Sequence, residues 1–163
     1  MINPRLLLRR LLGSAVLAAS MTLLASPGQA QSGPFASFAG AWTGTGQIMV
    51  ADGGKERIRC RATYKVAGAG LNQILRCASD SYRFDLTTNV TASGNSVSGS
   101  WSESSRNING TLGGRINGGH IDALVEANGF AASLSMNTNG NKQVIAIRSQ
   151  NTDLRGVDVT LTR

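Results

Sequence analysis

The sequence predicts an all-β fold, an antiparallel up-and-down meander that closes into a barrel of about eight to ten strands. Glycine-containing turn signals recur along the chain, and apolar and polar residues alternate between them. No proline follows Pro34, and no stretch carries helical spacing over three turns. Charged residues make up only 15% of the chain and hydrophobic residues 41%, a balance that excludes an intrinsically disordered protein.

Residues 1–30 have the anatomy of a secretory signal peptide. Basic residues precede the apolar run Leu11–Ala25, and a small, turn-prone segment follows, so cleavage is expected before Gln31. A membrane-spanning helix needs about 20 apolar residues, more than this run contains. We therefore expect a periplasmic or secreted protein without a stable membrane span. Residues 31–39 should form a flexible lead, and residues 40–163 a single β-barrel domain.

Hairpin registers follow from centring each pairing on a turn signal. A hairpin centred on Asn128-Gly129 pairs Val125 with Ala132, which makes one face apolar and the other mostly polar. A slip of one residue would mix the two faces, so this register is strongly favoured. The same reasoning along the chain predicts strands at 41–50, 56–66, 71–79, 82–90, 96–103, 107–116, 119–126, 130–137, 142–149 and 155–162.

A second hairpin, centred on Asn139-Gly140, would pair Leu134 with Ile145 and keep the same face inward. Glycines recur at inward positions of the predicted strands, where they let a strand bend sharply. This pattern favours a closely curved or flattened barrel. The inward glycines are Gly44, Gly46, Gly99, Gly110 and Gly114.

The two cysteines lie symmetrically about the turn Gly68-Ala69, so a hairpin there places Cys60 directly opposite Cys77. Opposed residues in an antiparallel pair come close enough for a disulfide. The alternative is a redox-active or metal-binding pair. Redox motifs use C-x-x-C spacing, and a zinc site needs four ligands, so the sequence favours a structural disulfide and no metal site.

A basic row is predicted on the face of the strand opposite Cys60. Arg57, Arg59 and Arg61 alternate there, and the cysteine register places Arg61 directly opposite Arg76. Like charges in this position are destabilising unless something offsets them, and one such partner is an anion from an acidic envelope component, which makes these residues a candidate anion-binding site. The alternative is a solvated face on which Arg57 is balanced by Asp80. No nucleic-acid partner is expected.

Candidate catalytic groups are few. His120 is the single histidine, and Asp122 follows it on the outward face of a predicted strand. A Ser-His-Asp arrangement also needs an activated serine, and the sequence has no G-x-S-x-G elbow. We therefore predict no catalytic residues, no cofactor and a non-enzymatic protein.

The segment Gly40-Ala41-Trp42 resembles the G-x-W motif that opens the first strand of lipocalins and avidins. This resemblance implies a barrel in which Trp42 closes one end, a late arginine stacks on it and the interior binds a small apolar molecule. Arg155 and Arg163 are the candidates for that arginine. Residues 58–64 and 76–84 are similar to segments of small exported proteins of alphaproteobacteria.

Two functions follow from these observations. The first is an exported envelope or interaction barrel with a filled core and an outer binding surface. The alternative is a lipocalin-like binder of a small apolar ligand, and the size of the interior cavity separates the two. The residues expected to bound such a cavity are Trp42, Tyr64, Leu75, Trp101, Leu112, Phe130 and Leu134.

Overall fold

A computed structural model describes residues 33–150 and 152–163; the predicted signal peptide and its cleavage site lie outside these residues. The described chain is a ten-stranded antiparallel meander, closed because the last strand pairs with the first, which confirms the predicted fold class. A 3-10 helix, Ala36–Phe38, precedes the strands. The strands are β1 Gly40–Val50, β2 Lys55–Ala67, β3 Gly70–Ala78, β4 Arg83–Ser93, β5 Ser96–Glu103, β6 Ile108–Asn117, β7 His120–Ala127, β8 Phe130–Asn139, β9 Lys142–Ser149 and β10 Leu154–Thr162.

Two predicted registers are confirmed. Val125 pairs with Ala132 across the β7–β8 hairpin, and Cys60 pairs with Cys77 across the β2–β3 hairpin. The two cysteines form a disulfide with their Cα atoms 4.1 Å apart. The disulfide closes a loop between cysteines that are 17 residues apart, which stabilises the fold by about 3 kcal/mol in the chain-entropy account.

In residues 33–150 and 152–163, no helix is long and apolar enough to cross a bilayer.

The β8–β9 hairpin differs from the prediction, because Leu134 pairs with Ile147 rather than with Ile145. The two central turn residues are Gly140-Asn141, one position later than predicted. Gly140 has a φ of 55°, and a tight hairpin turn of the II′ kind takes glycine at its first central position. The shift moves the pairing by two residues, so the inward face is preserved.

The inward glycines let neighbouring strands approach each other closely. A Cβ atom built on any of the five predicted positions would collide with the backbone of the adjacent strand. At Gly110 it would also lie 2.6 Å from the ring of Trp101, which rests on this residue. Gly113, three residues further along β6, faces outward and has no such neighbour.

We expect the substitution Gly110→Ala to destabilise the barrel by about 1–3 kcal/mol, because the new methyl group overpacks the Trp101 contact. Equilibrium denaturation followed by tryptophan fluorescence measures the change. Gly113→Ala is the matched control, since its added methyl group meets open space on the same strand. Equal stability of the two variants would contradict the close approach of β5, β6 and β7.

Candidate functional site

One end of the barrel is closed by the residues that precede β1. Phe35 and Phe38 are fully buried, and their rings meet edge to face with centroids 6.1 Å apart. The ring of Phe38 also contacts the ring of Tyr64. The indole Nε1 of Trp42 donates a hydrogen bond of 2.8 Å to the backbone carbonyl oxygen of Phe38. We call this the plugged end. The opposite end, where the connections after β1, β3, β5, β7 and β9 lie, is called the mouth.

The plug departs from the flexible lead predicted for residues 31–39. In its described part, residues 33–39, two buried phenylalanines and a 3-10 helix replace the expected mobile segment. The physical reason is that a barrel end exposes apolar side chains, and covering them is favourable. The sequence signal was the pair of phenylalanines just before Gly40-Ala41-Trp42.

Arg163 is the late arginine that the lipocalin resemblance requires. Its guanidinium lies 4.6 Å from the centroid of the Trp42 ring, a cation–π geometry. It also donates hydrogen bonds to the carbonyl oxygens of Ala39, at 2.7 Å, and Gly140, at 3.1 Å. Arg163 therefore connects the plug, β1, the β8–β9 turn and the end of the chain. Arg155 is exposed on β10 and does not serve this role.

A polar layer crosses the interior directly above the plug. The hydroxyl of Tyr64 donates a 2.6 Å hydrogen bond to the amide oxygen of Gln143, which reaches it from the far side of the barrel. Gln143 in turn donates to Thr138, and Gln73 donates to the Tyr64 oxygen at 3.3 Å. Burial raises the pKa of Tyr64, so this phenol stays neutral. We call this uncharged layer the floor, because it separates the plug from the part of the interior that lies towards the mouth.

Two polar groups of this floor remain available. Gln73 and Thr88 are directly paired across β3 and β4, face inward, and are only 9% and 7% exposed. Within the described residues, the Thr88 hydroxyl and the Gln73 amide oxygen have no hydrogen-bond partner, yet neither atom is completely enclosed. A buried polar group without a partner is costly. Both atoms therefore face the interior with hydrogen-bonding capacity that no described residue uses.

Packing against the core is looser towards the mouth for many side chains, although Ile48 on β1 and Ile58 on β2 remain fully buried there. Nine apolar side chains are only partly buried against the core, and eight of them lie between the middle of the barrel and the mouth; Val66 is the exception. Ile108, at the mouth, is 37% exposed. Among the apolar side chains packed against the core, those left partly uncovered are therefore concentrated at this end, while others, such as Leu124, are exposed on the outer face. The eight residues are Val50, Tyr82, Phe84, Leu86, Val125, Leu134, Ile147 and Leu154.

The rim of the mouth is built on stacked groups. The Arg106 guanidinium lies 4.7 Å from the centroid of the Phe84 ring, and the Tyr82 ring is parallel to that of Phe84. Glu103 accepts a 2.8 Å hydrogen bond from the backbone amide of Arg106. Burial opposes the ionisation of Glu103, but hydrogen bonds from the Asp85 amide and the following turn outweigh it and lower its pKa. The Glu103 carboxylate therefore stabilises the turn that forms this part of the rim.

The structure separates the residues predicted to bound a cavity. Trp42 and Tyr64 belong to the plugged end and the floor, and Phe130 lies at the mouth, edge to face with Trp101. The others face the interior between these levels: Leu75, Leu112 and Leu134. Sequence reasoning missed the polar floor residues, although a polar side chain at an inward position of the alternation was a readable signal. These are Gln73, Thr88, Thr138 and Gln143.

The predicted basic row lies on the outer face of β2 and β3. Arg61 is directly opposite Arg76, whose Nε lies 3.7 Å from a carboxylate oxygen of Asp85. The predicted pairing of Arg57 with Asp80 is wrong, because the β2–β3 ladder ends two residues earlier. The turn after β3 begins there, closed by a 2.9 Å hydrogen bond between Ser79 and Tyr82. Arg57 and Arg59 are both exposed.

His120 and Asp122 are hydrogen-bonded on the outer surface, with Nε2 and Oδ2 2.8 Å apart. Hydrogen bonds from His120 and then Ser135 lower the pKa of Asp122. Ser135 lies opposite Asp122 rather than His120, so the pair does not place this hydroxyl against the imidazole. Nucleophilic catalysis by serine needs that contact.

Comparison with known proteins shows the fold and no family. The sequence matches no protein-family model and no curated protein. In fold it is similar to Rv2717c from M. tuberculosis, at 13% identity and a TM-score of 0.64, covering 78% of this chain and 92% of that one. It is also similar to the S-type phycobiliprotein lyase CPES from Guillardia theta, at 9% identity and a TM-score of 0.58, covering 79% and 89%. The shared feature is the closed antiparallel barrel.

We expect Arg163→Ala to loosen the plugged end and destabilise the protein by about 1–3 kcal/mol, since a cation–π contact and charge-assisted hydrogen bonds are lost together. Arg163→Lys should recover little, because an ammonium cannot reproduce the planar fork. Thermal unfolding and the emission maximum of Trp42 report the effect. Arg155→Ala is the control, and an equal loss there would contradict the role of Arg163.

Proposed function

We propose that this chain is an exported, non-enzymatic binding protein whose barrel takes up a small, mainly apolar molecule through the mouth. The observation that carries the proposal is that one end of the barrel is plugged, whereas eight apolar side chains towards the mouth stay half-buried; Ile48 and Ile58 are fully buried even there. Small-molecule sites are typically concave and apolar with a few placed polar groups. The Cys60–Cys77 disulfide supports export, because such bonds persist in oxidising compartments.

The interior favours a neutral ligand over a charged one. Among the described residues that face inward, the ionisable acids are Glu56 and Glu103, both near the mouth. Each accepts a hydrogen bond from a backbone amide of a mouth connection, Glu56 from Ser81 at 2.9 Å. Both carboxylates therefore already accept hydrogen bonds, and both would repel an anion. An uncharged molecule with one hydrogen-bonding end suits the apolar walls and the Gln73–Thr88 pair.

The probe N-phenyl-1-naphthylamine, a neutral apolar fluorophore, should bind and brighten. Ala127 faces inward at the mouth between Gly110 and Phe130, so Ala127→Trp should fill the passage and weaken binding about tenfold or more. Ala131→Trp is the matched control, because Ala131 is exposed on the outer face of the same hairpin. Absence of binding to the unmodified protein, or equal weakening by both variants, would contradict the proposal.

The floor should discriminate between ligands with and without a hydroxyl group. In displacement of the same probe, 1-octanol should compete better than octane, and Thr88→Val should reduce that advantage about three- to tenfold, the effect of one hydrogen bond. Thr87→Val is the control, since Thr87 is the outward neighbour on β4. If Thr88→Val leaves the preference for 1-octanol over octane unchanged, Thr88 does not contact the ligand. That result would not contradict uptake through the mouth.

A further inference from the structure

A row of cations runs along the outer face of β2. Outward side chains on a strand recur every second residue, roughly 6.5 Å apart. On β2 these positions carry positive charge along nearly the whole strand, interrupted at Thr63. All of the cationic side chains are exposed. The cation row consists of Lys55, Arg57, Arg59, Arg61 and Lys65.

The five side chains of the cation row have no carboxylate close by. In the part of the chain that the structure describes, none lies within 4.0 Å of them, whereas Arg83 and Arg106 each have one. Across the β2–β3 ladder, Arg61 meets Arg76, which is itself paired with Asp85 at 3.7 Å. Such a row raises the local positive potential and is costly unless an anion compensates it.

The strand on the other side of the row supplies neutral hydrogen-bonding groups. On β1, Thr43 is paired with Arg61, and Thr45 with Arg59. Both threonines are exposed, so their hydroxyl groups are presented beside the guanidinium groups. The surface around the cation row is therefore polar as well as positive.

Near the plugged end, the cation row runs into a shallow, open groove whose outward side chains are polar, here called the polar groove. This groove, about 650 Å³ in volume, begins at Lys65 and crosses the outer face of β3, β4 and β5. Within it, the amide nitrogen of Asn72 donates a 2.9 Å hydrogen bond to the amide oxygen of Asn89. The amide oxygen of Asn72 and the amide nitrogen of Asn89 are left for a ligand. Its outward lining is made of short polar side chains: Asn72, Asn89, Thr91, Ser98 and Ser100.

We propose that the cation row and the polar groove together bind an extended anionic polysaccharide. Guanidinium and ammonium groups at regular spacing complement repeated carboxylate, sulfate or phosphate groups, and amide and hydroxyl side chains complement sugar hydroxyls. A linear polymer can follow one strand of a convex barrel, whereas a flat bilayer would meet only part of the row. Single-stranded nucleic acid is bound largely by base stacking, and the aromatic residues Tyr82 and Phe84 lie at the mouth instead.

The charge contribution is tested with dextran sulfate and uncharged dextran, which share one backbone. The double variant Arg59→Ser/Arg61→Ser should weaken dextran sulfate binding at least about tenfold in 50 mM salt and reduce its salt dependence, whereas dextran stays unbound. The control Arg115→Ser/Arg155→Ser removes the same charge from exposed positions on β6 and β10. Thermal unfolding verifies that both variants remain folded. Equal weakening by the two double variants would show attraction by net charge alone and overturn the proposal.

The groove is tested with an isosteric change. Asn89→Asp places one negative charge in the polar groove and should weaken binding of dextran sulfate and of polygalacturonate several-fold. Asn137→Asp makes the same change at an exposed position on β8 and should have no effect. Equal affinity for a single-stranded oligonucleotide, or binding to phosphatidylglycerol vesicles without polysaccharide binding, would assign the cation row to another partner and overturn the proposal. Probe uptake through the mouth is scored separately, so either proposal can fail alone.

Discussion

The whole arrangement depends on one contact group, in which Arg163 lies over the Trp42 ring while the Trp42 indole holds the Phe38 carbonyl oxygen. This group joins the first strand, the last residue and the segment before β1. A closed barrel leaves both ends open to solvent until something covers one of them. The buried plug covers one end, so the proposed uptake would take place through the mouth.

Alternation along β2 keeps the two proposed binding surfaces apart. Cys60 points into the barrel and is bonded to β3, while Arg59 and Arg61 on either side of it point outward. A strand presents successive side chains to opposite faces, so the same short segment contributes to the core and to the cation row. The disulfide fixes the register of β2 against β3, and with it the opposition of Arg61 and Arg76. The proposed uptake in the interior and the cation row on the outer face can therefore coexist in one sheet.

Much of the fold was predictable because a period of two leaves little freedom once a turn is located. The cysteine pair and the Asn128-Gly129 turn gave correct registers, since a slip of one residue would have exposed the core. The β8–β9 pairing was wrong by two residues, an error that the pattern cannot detect because the inward face stays the same. Only the turn geometry distinguishes the two registers, through the positive φ of Gly140.

The site was harder to predict, because its parts come from distant positions without a local pattern. The Phe35–Phe38 plug has no periodicity, and the choice between Arg155 and Arg163 depends on how the first and last strands meet. The interior polar residues were visible as exceptions to the alternation, but their grouping required the barrel to close. Gln143 on β9 reaches Tyr64 on β2 only across the interior.

The position of Arg163 also constrains when the barrel can be completed. Its hydrogen bond to the Ala39 carbonyl oxygen joins residues 124 positions apart, and β1 cannot be paired on both edges until β10 has formed. Contacts of such long range slow folding, because loop-closure entropy is lost before the contact forms. The β2–β3 hairpin, by contrast, needs only the 17-residue separation of its cysteines. During synthesis, we expect that hairpin to form early, with β1 unpaired on one edge until the C-terminal strand arrives.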